Sequence, residues 1–217
     1  MVRVKICGIT RLEDALAAVH AGADAVGFIF AKSPRYIHPE KASSIIKQLP
    51  PFVTTVGVFV NTNEHDILTI KNQCGLDMIQ LHGEECIITD YSDCQKKNNI
   101  CISLKTIKRL IKTIKISKVI SGEPDNYPNI SLLLDTFIPN SEIQGGSGKV
   151  FDWRLAIPIA KKRPIILAGG LHPENVAQAI QLVQPYGVDV SSGVESEPGI
   201  KDHQKIIAFI QQAKFLS

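Results

Sequence analysis

The sequence predicts a single (β/α)8 TIM barrel, an α/β fold, from its alternating pattern of elements, its length and its composition. Short β-branched runs alternate with helical stretches eight times, which is the pattern of a closed parallel sheet surrounded by helices. The chain has 217 residues, a usual length for one such barrel, so we expect one domain over residues 1–217. The alternative, a doubly wound open sheet, typically has fewer strands and a glycine-rich first turn, whereas the first turn here is Cys7-Gly8-Ile9-Thr10.

The eight predicted strands are short, rich in β-branched residues and followed by turn residues. They cover residues 2–7, 25–30, 54–60, 78–81, 100–104, 131–135, 165–168 and 188–191. The predicted helices cover residues 12–21, 39–47, 64–73, 84–95, 107–117, 153–161, 173–183 and 201–213. Helix start signals support several of them: Pro39-Glu40 and Pro173-Glu174 in first turns, and Asn63 and Asp152 as N-caps.

The overall composition limits the classes of partner. The net charge of +3 gives no reason to expect a nucleic acid and suits a small anionic substrate, and the lysine-rich stretch 105–118 is interpreted as a solvated helix face. No apolar run is long enough for a membrane span, and no pattern indicates an obligate protein partner. The chain has an odd number of cysteines: Cys7, Cys74, Cys86, Cys94 and Cys101. They form no C-x-x-C pair, and no secretory signal precedes them. We therefore expect a reduced protein of the cytoplasm.

The alternation of side chains along the strands places three reactive residues at one end of the predicted barrel, facing its interior. In the first strand Val2, Val4 and Ile6 share the face that packs on helices, so Cys7 points into the barrel mouth. The same alternation turns Asp135 inward at the end of the sixth strand, and His82 inward after the fourth, on the same face as Gln80. Each residue alone has an ordinary structural interpretation, in packing or capping. Their convergence at the carboxyl ends of the strands favours a catalytic site.

Small residues follow the last two strands, where barrels commonly bind phosphate. They are Gly169, Gly170, Ser191, Ser192 and Gly193. Glycine allows backbone N–H groups to approach an anion, and serine adds hydroxyl donors, although tight turns alone would also use these residues. The glycine-rich loop around Gly148 lacks the spacing of a nucleotide-binding loop and is interpreted as a lid that contacts the phosphate. No Cys/His spacing indicates a metal site.

Motifs along nearly the whole chain resemble one enzyme family, phosphoribosylanthranilate isomerase. The motifs occur in family order: Lys5-Ile6-Cys7-Gly8-Ile9-Thr10, Ser33-Pro34-Arg35, Val56-Gly57-Val58-Phe59-Val60-Asn61, Gln80-Leu81-His82-Gly83, Leu133-Leu134-Asp135, Gly145-Gly146-Ser147-Gly148 with Phe151-Asp152-Trp153, Ala168-Gly169-Gly170-Leu171 with Pro173-Glu174-Asn175-Val176, and Val190-Ser191-Ser192-Gly193-Val194-Glu195 with Pro198-Gly199. Residues 84–130 carry no matching motif, so the fifth strand and helix are placed by pattern alone. The family's fold is the (β/α)8 barrel.

The resemblance implies an aldose–ketose isomerase of tryptophan biosynthesis. Its reaction is the Amadori rearrangement of N-(5-phosphoribosyl)anthranilate to the 1-deoxyribulose 5-phosphate isomer. Carried over by motif, Cys7 is the general base, Asp135 is the general acid and Arg35 binds the anthranilate carboxylate, while His82 lines the same pocket. No cofactor or metal is expected, because the iminium formed on ring opening is itself the electron sink.

Three alternatives remain at this point. The histidine-pathway isomerase performs the same rearrangement, but that family resembles two half-barrels and uses two aspartates. Indoleglycerol-phosphate synthase would carry a catalytic Lys/Glu set and a longer N-terminus. A barrel that only binds a phosphorylated ligand would be expected to lack Cys7 or Asp135, and both are present.

Overall fold

The computed structural model describes residues 1–88, 100–116, 120–121, 124–127, 129–136 and 152–214. Within them eight parallel strands pair side by side and close into a barrel. The predicted (β/α)8 fold is therefore confirmed, and the open-sheet alternative is wrong. The barrel strands are β1 (Arg3–Ile6), β2 (Ala25–Ile29), β3 (Thr54–Phe59), β4 (Met78–Leu81), β7 (Leu110–Ile116), β9 (Ser131–Thr136), β10 (Ile165–Leu167) and β11 (Gly187–Val190). They pair in the order β4-β3-β2-β1-β11-β10-β9-β7, and β7 pairs with β4 to close the barrel. The short strand β8 (Ile120–Ser121) pairs antiparallel with β7 and is not one of the eight.

Helices pack around the outside of this barrel. They are α1 (Leu12–His20), α2 (Pro39–Ile46), α3 (Glu64–Cys74), α4 (Ile157–Lys162), α5 (Val176–Val183) and α6 (His203–Lys214). The predicted cap of α3 is present, since the side chain of Asn63 accepts a hydrogen bond from the backbone of Asp66 at 3.0 Å. Gly75 ends this helix in the left-handed conformation.

The fifth barrel strand lies where a helix was expected. Residues 110–116 form β7, not part of a helix over 107–117, and the predicted fifth strand at 100–104 is outside the barrel. There β6 (Cys101–Ser103) pairs with β5 (Cys86–Ile88) in a separate parallel two-stranded sheet. The predicted helix 84–95 is thus wrong at 86–88, and residues 89–95 lie outside the described residues. Lys112 and Lys115 are three residues apart, a spacing that suits one face of a helix, but in β7 their side chains point to opposite faces of the strand. They are 6% and 17% exposed, so the predicted solvated helix face is wrong for both.

Other boundaries differ by a few residues. The predicted helix 153–161 is a 3-10 turn, Trp153–Leu155, followed by α4, with Pro158 in the first turn of that helix. The predicted helix 173–183 begins at Val176, so Pro173-Glu174 precedes it. Lys201, expected in the last helix, lies instead in β13 (Ile200–Lys201), which pairs antiparallel with β12 (Glu195–Glu197).

The burial pattern separates a large outer core from a small inner one. Ile79, Leu81, Leu132 and Leu134 belong to the layer between the strands and the helices, as parity predicts. A separate cluster of Val56, Ile111, Leu133 and Ala168 fills the inside of the barrel below the mouth. Because inward and outward side chains alternate, the next inward position on each strand is the one that reaches the mouth.

The described residues bear on the expected absence of a membrane span and on the expected reduced state of the cysteines. Among these, no helix is both long and apolar enough to cross a membrane. The thiols of Cys7, Cys74 and Cys86 are free, but Cys101 is disulfide-bonded, so the expectation of a fully reduced chain is wrong at that residue. Cys94 lies outside the described residues.

Candidate active site

A cavity of about 470 Å³ opens at the carboxyl ends of the barrel strands. It brings together five of the residues singled out from the sequence: Cys7, Arg35, His82, Asp135 and Ser191. The remaining lining residues are Ile29, Phe30, Ala31, Lys32, Ser33, Val58, Val60, Gln80 and Asp189. Charged and polar groups thus converge on a partly apolar cleft, as in most enzyme sites.

Cys7 sits directly after β1, and its backbone N–H donates to the carbonyl of Val190 at 2.8 Å. The side chain is 5% exposed. Its position requires a glycine on the neighbouring strand, because a Cβ at residue 27 would lie 2.7 Å from the thiol sulfur. Burial raises the pKa of the Cys7 thiol, and the nearby ammonium groups of Lys5 and Lys201 act in the opposite direction. The two cations therefore offset part of the cost of burying the thiolate that a cysteine base requires, and the pKa stays above its ordinary value.

Beneath Cys7, a polar cluster crosses the interior of the barrel. The Nζ of Lys5 donates to Asp189 Oδ1 at 2.9 Å and to Gln80 Oε1 at 3.0 Å. Burial alone would lower the pKa of Lys5, but the carboxylate of Asp189 and the Cys7 sulfur raise it above its ordinary value. Lys5 therefore stays an ammonium on the same inward face as Cys7.

Asp135 is the inward residue near the end of β9, and its side chain is 11% exposed. Burial raises the pKa of its carboxyl group to about 6, although the N–H of Thr136 donates to Oδ1 at 2.7 Å and opposes the shift. A carboxyl group with this pKa holds a proton at a pH where an ordinary aspartate has lost it. It can act as an acid near neutral pH.

His82 is the neighbour of Asp135 across the mouth, with Nε2 lying 3.5 Å from Oδ2. Burial lowers the pKa of the imidazole to about 3, and the charges of Lys115, Lys5 and Lys112 add to the effect. The ring is therefore neutral, and its Nδ1 faces the amide nitrogen of Gln80 at 3.5 Å. Gln80 in turn donates to Thr113 Oγ1 at 3.2 Å, which fixes the amide in place.

Arg35 lines the cavity but is not a lone cation. Its Nε and Nη2 donate to the two carboxylate oxygens of Glu195, both at 2.8 Å. The guanidinium edge that carries Nη1 makes no hydrogen bond to any residue that the structure describes. The backbone of Gly8 allows this placement, since φ is +75° there and a Cβ would lie 2.8 Å from Arg35 Cδ.

The predicted phosphate loops lie next to one another above β10 and β11. Gly169 and Gly170 have φ of +84° and +67°, conformations that favour glycine. A Cβ at Gly193 would collide with the backbone of Leu171, so the second loop packs closely on the first. The buried hydroxyl of Ser191 has no hydrogen-bond partner among the described residues, and Ser191 lines the cavity. Ser192 begins the 3-10 turn Ser192–Val194, and Gly148 lies outside the described residues.

Several residues of this site were not singled out from the sequence as functional. Asp189, Lys115 and Glu195 contribute charge or hydrogen bonds around the cavity. Parity on β11 could have indicated Asp189, a charged residue inside an apolar strand. Lys115 was not recognised as a residue near the site because its strand was predicted as a helix. No local pattern indicates that Glu195 would reach Arg35, because 160 residues separate them.

No group of three or more His, Cys, Asp or Glu side chains suited to hold a metal occurs in the parts of the chain that the structure covers. The cavity instead combines the thiol of Cys7, the carboxyl group of Asp135 with its raised pKa, the neutral imidazole of His82 and the guanidinium of Arg35, which is paired with Glu195. This set can deliver a proton from one side of a ligand and remove one at another atom, and it can bind anions.

Comparison with protein families gives a match over nearly the whole chain. The model of a family described as N-(5'phosphoribosyl)anthranilate (PRA) isomerase matches residues 4–212. The chain is 49% identical over 216 residues to the N-(5'-phosphoribosyl)anthranilate isomerase of Pelobacter propionicus, covering 99% of this chain and 96% of that protein.

Solved structures agree with the sequence comparison. The crystal structure of phosphoribosyl anthranilate isomerase from Thermotoga maritima has a TM-score of 0.83 to this chain at 49% identity, covering 100% of both chains. A crystal structure of phosphoribosyl anthranilate isomerase in complex with reduced 1-(o-carboxyphenylamino)-1-deoxyribulose 5-phosphate has a TM-score of 0.79 at 47% identity, again covering 100% of both. The second of these crystal structures therefore holds a phosphorylated sugar derivative in a protein similar to this chain.

Proposed function

This chain belongs to the N-(5'-phosphoribosyl)anthranilate isomerase family, and we propose that Cys7 is the general base and Asp135 the general acid of its reaction. The reaction is the Amadori rearrangement of N-(5-phosphoribosyl)anthranilate in tryptophan biosynthesis. The observation that carries the assignment is that both side chains line one cavity at the carboxyl ends of the barrel strands.

The substrate is an aminoaldose closed as a furanose. Asp135 donates a proton to the ring oxygen, the C1–O bond breaks, and the nitrogen lone pair forms the iminium. Burial raises the pKa of this carboxyl group to about 6, which suits proton donation near neutral pH. The neutral imidazole of His82, 3.5 Å from Asp135, adds no positive charge that would favour premature ionisation.

Removal of the proton at C2 follows. The Cys7 thiolate takes this proton, and the electrons of the C–H bond move to the iminium to give an enolamine. Protonation at C1 and loss of the proton from the C2 hydroxyl group then give the ketone, so the sum of the steps is an isomerisation. Lys5 is held as an ammonium by Asp189 at 2.9 Å, and its charge favours the thiolate of Cys7.

The two anionic ends of the substrate are assigned to different groups of the mouth. We propose that the guanidinium edge of Arg35 that carries Nη1 binds the anthranilate carboxylate. The turns at Gly169, Gly170, Ser191, Ser192 and Gly193, together with Gly148, bind the phosphate. The unpartnered hydroxyl of Ser191 supports the second assignment, because a buried donor without a partner is costly unless a ligand satisfies it.

The first experiment follows the loss of phosphoribosylanthranilate fluorescence, with the substrate generated in situ. We expect Cys7→Ala and Asp135→Asn each to lower kcat by on the order of 10²–10⁴-fold. Cys74→Ala is the matched control, since Cys74 is also buried but lies in α3 and contacts the carbonyl of Pro39. Near-normal turnover in either active-site variant would remove that residue from its role, and no decay with the unmodified protein would contradict the activity.

We propose that residues 1–217 act as one catalytic domain in the cytoplasm, on a small phosphosugar and without a nucleic acid, a membrane or an obligate protein partner. The match of the relatives over this whole range supports a single domain. Because the iminium is the electron sink, dialysis against a chelator should leave turnover unchanged. A loss restored by a divalent cation would show that a metal takes part.

A further inference from the structure

Three buried charged side chains form a chain of ion pairs beside the cavity, here called the triad: Arg35, Glu195 and Lys201. Glu195 accepts two hydrogen bonds from Arg35 at 2.8 Å, and Oε1 also accepts from Lys201 Nζ at 2.9 Å. The side chains are 7%, 5% and 0% exposed. Glu195 therefore sits between two cations in a region with little water.

The order of charges in the triad has a consequence for ligand binding. A bidentate arginine–glutamate pair is neutral as a unit, so it attracts a second carboxylate only weakly. Adding Lys201 makes the sum of charges +1 in the triad, and burial leaves this charge weakly screened. That charge reaches the cavity at the Nη1 edge of the Arg35 guanidinium. This edge makes no hydrogen bond within the described residues.

Lys201 is held in place from outside the cavity. It lies in β13, its backbone N–H donates to Asp14 Oδ2 at 3.1 Å, and its Nζ also donates to the carbonyl of Ser191 at 3.0 Å. Lys201 is not among the residues that line the cavity. Lys201 therefore makes no direct contact with a ligand in the cavity. Its charge acts from behind Glu195 and Arg35, and its hydrogen bond acts on the loop at Ser191.

We propose that Lys201 sets the affinity of the site for the substrate carboxylate by compensating the charge of Glu195, an inference that rests on the proposed role of Arg35. Glu195 and Lys201 are positioning residues in this scheme. Glu195 orients the guanidinium, and Lys201 keeps the oriented group attractive to an anion. The carboxylate end of the substrate is thus recognised by a buried cation–anion–cation arrangement instead of by one arginine.

Two ligands isolate the carboxylate in a binding experiment. The first is reduced 1-(o-carboxyphenylamino)-1-deoxyribulose 5-phosphate, and the second is the same compound without the carboxyl group. We measure the Kd of each by calorimetry at pH 7 and take the ratio as the carboxylate preference. Lys201→Met should lower this preference by about tenfold, the order expected for losing one nearby buried charge. The Kd of the ligand without the carboxyl group should change little.

Two variants separate charge from structure. Lys205→Met is the matched control, because Lys205 Nζ donates to the main-chain carbonyl of Glu195 at 2.9 Å and not to its carboxylate. It should keep the carboxylate preference. The double variant Lys201→Met with Glu195→Gln removes one charge of each sign, so it should recover part of the preference lost in Lys201→Met. If Lys201→Met does not fold, Lys201→Gln, which keeps a donor for the Ser191 carbonyl, provides the same comparison.

The outcomes distinguish this inference from the proposed function. Arg35→Met should abolish the preference, and an unchanged preference there would contradict the role of Arg35 itself. If Lys201→Met keeps the normal carboxylate preference while Arg35→Met loses it, the proposed role of Lys201 is wrong and the role of Arg35 stands. Equal weakening of both ligands in Lys201→Met would show that Lys201 acts on the phosphate loop through Ser191, which also overturns the inference.

Discussion

The imidazole Nε2 of His82 lies 3.5 Å from the carboxylate Oδ2 of Asp135, yet the two side chains do not form an ion pair. Burial lowers the pKa of His82 to about 3 and raises that of Asp135 to about 6. Both shifts disfavour the charged form. Between about pH 3 and about pH 6 the pair therefore holds one labile proton, which is on Asp135.

The raised pKa of Asp135 predicts the acid limb of the pH profile. Below pH 6 the acid is fully protonated and only the Cys7 thiolate fraction rises with pH, so log kcat/KM should rise with a slope of one. Above pH 6 the loss of protonated Asp135 offsets the gain of thiolate, and the profile should become flat. Steady-state kinetics between pH 4.5 and 9 measures this break.

The Asp135→Asn variant identifies the group behind the break. Without the carboxyl group, residual activity should follow the thiolate alone and keep rising through pH 6. A break that persists near pH 6 in this variant would come from another group, such as the substrate phosphate, and would contradict the assignment.

The same carboxyl group should limit stability. Its folded-state pKa, about 6, lies above the unfolded value of 3.8, so stability falls as pH rises through this window and stays low above it. Asp135→Asn should therefore raise the free energy of unfolding at pH 8 by roughly 2 to 3 kcal/mol, since its amide oxygen can still accept from Thr136. Urea unfolding at pH 8 and pH 4 tests the prediction. A gain of equal size at both values would mean that ionisation is not the cause.

Gly27 should tolerate no side chain while Cys7 is present. The added Cβ would lie 2.7 Å from the Cys7 sulfur and 3.1 Å from Lys5 Cε. Gly27→Ala should lower the free energy of unfolding by about 1–3 kcal/mol, as for other overpacked interiors. In the Cys7→Ala background the penalty should be smaller, because the sulfur is gone. Equal penalties in both backgrounds would show that the contact with Cys7 is not the source.

Asp14 should stabilise the contact between α1 and α6. Its buried carboxylate accepts from Arg11 at 2.7 Å and from His203 at 2.9 Å, and these bonds outweigh burial so that its pKa is lowered. Asp14→Asn should cost about 2–4 kcal/mol near neutral pH, with the difference shrinking as pH falls through the lowered pKa of Asp14. Urea unfolding measures it. Glu13→Gln is the control and should change little, because Glu13 is 58% exposed.

The sequence by itself determined the barrel and most of its catalytic face. Alternation along β1, β4 and β9 places Cys7, His82 and Asp135 inward, because side chains of a strand point to opposite faces in turn. This rule is local and can be applied to a single strand without knowing its neighbours. The order of the family motifs then identified the chemistry.

Only the tertiary structure decided the fifth strand and the electrostatic surroundings of the site. Residues 110–116 are rich in isoleucine and suit a strand, but their place as the fifth barrel strand, between β4 and β9, depends on where the sheet closes. Arg35 and Glu195 are 160 residues apart, and Lys5 and Asp189 are 184 apart. Charge pairing and pKa values depend on distances and burial across the fold, and the folded chain alone sets these.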